Sequence, residues 1–97
     1  MANILISDDH PLTLMGTKTY IESLGHTICD LCSNGITAYN MILQRNPDIA
    51  VLDINMPGMN GLEVLEKLQS TQPKTKVILL TMHNEISIFN RAKALNV

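Results

Sequence analysis

Three short, unbroken apolar runs govern what this chain can become: Ile4-Leu5-Ile6, Ile49-Ala50-Val51-Leu52 and Val77-Ile78-Leu79-Leu80. None of them alternates apolar with polar residues, as a strand with one wet face would. Continuous runs of this length suit strands covered on both faces, the arrangement found in parallel sheets. A fourth segment, Thr27-Ile28-Cys29-Asp30-Leu31, mixes polarities and suits an edge strand.

The stretches between these runs carry helical spacing. Pro11 opens one with Leu14, Met15, Ile21 and Leu24 on its apolar side, closed by Gly25 as a C′ residue. Asn34-Gly35 opens a second, with Ala38, Tyr39, Ile42 and Leu43 on one face, stopped by Asn46-Pro47. Leu62, Leu65 and Leu68 mark a third, before a polar Gln69–Lys76 connection. That spacing makes Asn60-Gly61 a helix start rather than a hairpin turn. Ile88, Ala92 and Leu95 mark a fourth helix, still running at Val97. The order β-α-β-α-β-α-β-α predicts an α/β fold with a parallel sheet and right-handed crossovers.

Composition narrows the class. Of 97 residues 45% are hydrophobic and 16% charged, with a net charge of −2, which fits one small domain spanning 1–97 and excludes intrinsic disorder. No apolar stretch reaches the roughly 18 residues a membrane-spanning helix needs, and no basic leader precedes an apolar segment. A cytoplasmic location without membrane contact is the expectation. Lys+Arg 7 against Asp+Glu 9 leaves no charge excess for direct nucleic-acid binding. The core must be built from Leu, Ile, Val and Met, because aromatics are limited to Tyr20, Tyr39 and Phe89. The six Met residues read as gap-fillers in it.

In open α/β sheets, ligands bind beyond the carboxyl ends of the strands. Here the first run ends in Ser7-Asp8-Asp9, the third in Asp53 and the fourth in Thr81. Three carboxylates and a hydroxyl on one rim would either raise one another's pKa or recruit a cation. With oxygen donors only, the suitable ion is Mg²⁺. The plainer reading makes each Asp a helix cap. That suits Asp9 before Pro11 but suits Asp53 poorly, because Met56-Pro57-Gly58 intervenes before the next helix.

These residues resemble the receiver domain of bacterial two-component response regulators. The resemblance rests on Asp8-Asp9, on Asp53-Ile54-Asn55-Met56-Pro57-Gly58-Met59-Asn60-Gly61, and on Thr81. It implies a flavodoxin-like, doubly wound sheet of order 2-1-3-4-5. It implies that Asp53 accepts a phosphoryl group from a sensor histidine kinase or phosphotransfer protein. Mg²⁺ would be held by Asp9, the Asp53 carboxylate and the Asn55 backbone carbonyl, with Asp8 on metal-bound water. Thr81 would hydrogen-bond a phosphoryl oxygen. The chain would be a signalling phosphoacceptor, catalysing at most its own phosphorylation and dephosphorylation. Asp9-His10-Pro11-Leu12 and Thr81-Met82-His83 are similar to receivers preceding a LuxR-type helix-turn-helix domain, which would carry DNA binding and transcription control. His10 and His83 read as rim residues, since a hard ion prefers oxygen. Met82 reads as restricting access to Asp53.

The resemblance runs from Asn3 to Val97, about four-fifths of such a domain. A fifth strand with its Lys and aromatic switch residue, and a fifth helix, would lie beyond Val97; Lys93 reads as a solvated charge. On this reading the chain is incomplete at its C-terminus, with order 2-1-3-4 and impaired signalling. Val77–Leu80 becomes an edge and the first helix loses a neighbour, so a dimer or larger homo-oligomer is expected.

Two rivals stand beside the receiver reading: an inert or oligomerising fragment of the same fold, and a Mg²⁺-dependent phosphohydrolase of the haloacid-dehalogenase kind. The latter expects Asp-x-Asp after its first strand, which neither Asp8-Asp9 nor Asp53-Ile54-Asn55 provides. Cys29 and Cys32 form a C-x-x-C. On a strand, residues three apart point to opposite faces and cannot clasp one metal, so the pair reads as two ordinary small side chains.

Overall fold

The computed structural model describes residues 2–71 and 74–80. Thr81, Met82, His83, Lys93 and the expected fourth helix lie outside the described residues. Four strands and three helices alternate: β1 (Asn3–Ser7), α1 (Pro11–Ser23), β2 (Thr27–Cys32), α2 (Gly35–Arg45), β3 (Ile49–Asp53), α3 (Gly61–Thr71) and β4 (Lys76–Leu80). All pairings are parallel and the order is β2-β1-β3-β4, the doubly wound arrangement expected from the apolar runs.

Side-chain alternation along each strand feeds two cores. Leu5, Ala50 and Leu52 point to the face covered by α2 and α3, where they join Ala38, Ile42, Val64, Leu65 and Leu68. Ile4, Ile6 and Val51 point to the other face, against Leu14 and Ile21 of α1. Each fully buried Leu, Ile or Val among them contributes about 1.5–3 kcal/mol, so burial on both faces of the sheet is a main source of stability.

The helix ends follow local chemistry. Asn34 caps α2 by accepting from the Thr37 N–H at 2.8 Å. Asn60 and Glu63 form a reciprocal capping box on α3, with bonds of 2.8 and 3.1 Å between each side chain and the other's N–H. Gly25 follows the α1 C-cap with φ +92°, a conformation that costs glycine little. α3 runs to Thr71, three residues into what the sequence suggested was connection.

Three expectations are corrected. Only Leu14 and Ile21 of the four apolar α1 positions pack on the sheet; Met15 and Leu24 are exposed. β4 is not covered on both faces among the described residues: Val77 is buried, but Ile78 is 46% exposed. The reason is placement, since α1 contacts β1 and β2, away from β4. Finally, Cys29 and Cys32 share a face. The β1–β2 register steps from Ile4↔Ile28 to Leu5↔Asp30, leaving Cys29 as the extra residue of a bulge. Both cysteines therefore pack toward the α2–α3 core, while Ile28 and Leu31 face α1.

Candidate functional site: an acidic pocket at the strand ends

Register brings the acids together. Ser7 of β1 lies beside Leu52 of β3, so the next residues, Asp8 and Asp53, emerge from adjacent strands at the same level. This is where the strand order reverses, with β1 between β2 and β3, and such a switch point leaves a crevice between diverging connections. One ligand atom each from Asp8, Asp9, His10 and Asp53 lies within 4.8 Å of the others. Asp8 and Asp53 are buried, and Asp9 is exposed at the mouth.

The surrounding loops are held by specific contacts. Ser7 is buried and its hydroxyl donates to Met56 Sδ at 3.0 Å, anchoring the loop after β3. The Asn55 N–H donates to Asp53 Oδ1 at 3.3 Å. Gly61 permits α3 to start against the end of β3, because a Cβ there would lie 2.7 Å from the Asp53 carbonyl oxygen. Gly35 does the same for α2 against the Met59 backbone. Gly61 thus lets α3 begin at the pocket floor, and Gly35 lets α2 begin against the loop that follows β3.

Burial pushes the Asp53 carboxyl above its ordinary value, and the neighbouring Asp8 and Asp9 charges push the same way; the Asn55 N–H opposes them. Asp9 is not the α1 cap: the N-cap is His10, which makes no side-chain capping bond. Asp8 instead accepts from the His10 backbone N–H at 2.9 Å. His10 also places Nδ1 3.0 Å from Asp8 Oδ1, 3.0 Å from Asp9 Oδ1 and 3.6 Å from Asp53 Oδ2. Its pKa is raised, first by the bond to Asp8 and then by the Asp9 charge. Sequence reasoning put this ring on the rim; the structure puts its nitrogen among the carboxylates. The signal was its adjacency to Asp9, but spacing alone does not tell which way a side chain at a strand-to-helix turn points.

The donor set fits a hard divalent cation. Three carboxylates supply oxygen donors, two of them buried, and oxygen is the ligand a hard divalent ion takes. The two thiols offer no comparable site. Cys29 and Cys32 are both free thiols. Burial also pushes Cys32 up to about 11 and raises Cys29, which favours the thiol over the thiolate at both.

An open parallel sheet with carboxylates gathered at its switch point defines a doubly wound α/β protein with an acidic strand-end pocket. Comparison with known proteins supplies the family. The model of the response regulator receiver domain matches residues 4–97. A Pseudomonas aeruginosa protein is 39% identical over 84 residues, 87% of this chain and 41% of that relative. The nitrate/nitrite response regulator protein NarL of Escherichia coli is 37% identical over 84 residues, 86% of this chain and 39% of its own length. Among solved structures, a LuxR-family DNA-binding response regulator from Staphylococcus aureus superposes with a TM-score of 0.94 at 31% identity, covering 100% of this chain and 82% of that one. The chain belongs to the response regulator receiver domain family of two-component signalling. It spans about two-fifths of the curated relatives' length. Among the described residues, no helix is long and apolar enough to cross a membrane.

Proposed function

We propose that this chain is the phosphoacceptor unit of a transcription-controlling response regulator, spanning 1–97 and modified on Asp53. The observation that carries the reading is the convergence of Asp8, Asp9 and Asp53 on one strand-end pocket. The phosphoryl donor is a phosphohistidine of a sensor kinase or phosphotransfer protein, met in the cytoplasm. A carboxylate oxygen of Asp53 attacks the phosphorus, the P–N bond breaks, and its electron pair leaves with the donor imidazole. The product is an aspartyl phosphate.

Phosphoryl transfer asks a protein chiefly for in-line positioning and charge neutralisation. Asp53 is positioned by its place at the end of β3 and by the Asn55 N–H at 3.3 Å. Mg²⁺, when bound, neutralises the carboxylate and phosphoryl charges that would otherwise repel. Asp9, Asp53 and the Asn55 carbonyl would hold it, with Asp8 on its water. Thr81, outside the described residues, would hydrogen-bond a phosphoryl oxygen. The output is carried by a DNA-binding domain outside these residues, and a second copy of the chain is the proposed partner in assembly.

Incubation with acetyl phosphate and Mg²⁺ tests this. Incorporation of one phosphoryl group by the wild type, abolished by EDTA and by Asp53→Ala, is expected. An unlabelled wild type would favour the inert-fragment reading. Sustained release of phosphate from an ester would favour a phosphohydrolase.

A further inference from the structure

His10 stands where a bound cation would compete with it. Its Nδ1 is 3.0 Å from both Asp8 Oδ1 and Asp9 Oδ1 and 3.6 Å from Asp53 Oδ2, so one ring nitrogen faces all three carboxylates. The backbone is held beside the pocket as well, because the His10 N–H donates to the same Asp8 oxygen at 2.9 Å. Pro11 follows at the start of α1 and fixes the chain direction there. Yet the His10 side chain is 63% exposed, so turning it out to water sacrifices no core packing. The ring is both well bonded and free to leave.

We propose that the His10 imidazole is a built-in occupant of the acidic pocket, and that a divalent cation binds by displacing it. The inference rests on the metal-binding reading given above. The hydrogen on Nδ1 is present in the imidazolium and in one neutral tautomer, so the competition does not require a charged ring. Oxygen lone pairs engaged by that hydrogen are the ones a cation must take. The apparent metal affinity is then the intrinsic affinity reduced by the fraction of molecules with the ring turned out. His10 thereby sets the Mg²⁺ concentration at which the pocket fills.

Calorimetric titration with MgCl₂ at one fixed pH and ionic strength tests this on the whole chain. His10→Ala is expected to bind at least threefold more tightly than wild type. His10→Asn, whose shorter amide reaches fewer of the oxygens, is expected to fall between them. His10 makes no side-chain cap bond, so neither variant removes one. In parallel, the His10 ring resonances of the wild type should move on Mg²⁺ addition toward those of a solvated histidine. Unchanged affinity in both variants overturns the inference and leaves the metal reading standing. Weaker binding in them would make the imidazole a ligand and overturns it equally, as would Mg²⁺ saturation without movement of the ring resonances. Failure of wild type and variants alike to bind Mg²⁺ overturns the metal reading, and this inference with it.

Discussion

Asp53 is a carboxylate held where its charge is disfavoured. Burial is the first cause and the Asp8 and Asp9 charges add to it, so its folded pKa lies above the ordinary 3.8. The folded chain therefore holds this proton more tightly than the unfolded chain does. Stability from this group is fully present below pH 3.8, falls as pH rises through the folded value, and stays lower above it. Asp53→Asn removes the charge. With EDTA present at pH 7, it should raise the urea midpoint, on the scale of about 1 kcal/mol typical of a single substitution. At pH 3 the gain should vanish, since the wild-type carboxyl is then neutral too. An equal gain at both pH values would assign the effect to something other than charge. The residue proposed as the phosphoryl acceptor is thus one whose ionised form weighs against the metal-free fold, a common tension at functional sites.

At the scale of elements, the pocket depends on how closely α3 can begin behind β3. A Cβ on Gly61 would sit 2.7 Å from the Asp53 carbonyl oxygen and 3.1 Å from both Ile54 Cα and Leu79 Cδ2. Two of those three atoms are backbone and cannot rotate away. Gly61→Ala should cost about 1–3 kcal/mol, the usual range for forcing extra volume into a packed site. It should also slow acetyl-phosphate labelling, because the strain falls on the peptide that carries Asp53, the proposed nucleophile. Urea denaturation and a labelling time course check both. The β2 bulge acts at the same scale. One extra residue at Cys29 reverses the facing of everything after it, placing Cys32 in the α2–α3 core. Strict alternation could not anticipate this, because a bulge arises from pairing with β1 and leaves no composition mark on β2.

For the molecule as a whole, a cation held by the clustered carboxylates, as proposed, would add to stability. A ligand that binds only the folded state stabilises it by RT ln(1 + [L]/Kd), about 1.4 kcal/mol at ten times Kd. In a domain of this size that corresponds to a rise in Tm of about 6–11 °C. Mg²⁺ should give this rise in the wild type. Asp9→Asn, which removes one of the proposed ligands from the exposed mouth of the pocket, should largely abolish it without lowering the metal-free Tm. Thermal scans with and without EDTA measure both. A full Mg²⁺ response in Asp9→Asn would remove that carboxylate from the ligand set.

The sequence by itself determined the layering. Unbroken apolar runs require two covered faces, and helical spacing between them supplies the covers, so the parallel α/β sheet was legible from Ile4, Val51 and Leu65 and their neighbours. Acidic residues at strand ends were equally legible, because strand direction in such a sheet sends every carboxyl end to one rim. Tertiary structure alone decided the rest. The exposure of Ile78, the shared face of Cys29 and Cys32, and the turn of His10 into the carboxylates each depend on a neighbour distant in sequence or on a side-chain rotation. Periodicity reports which face of its own element a residue occupies. It carries no information about which other element covers that face, or about which of several rotations a side chain adopts once charges meet across strands.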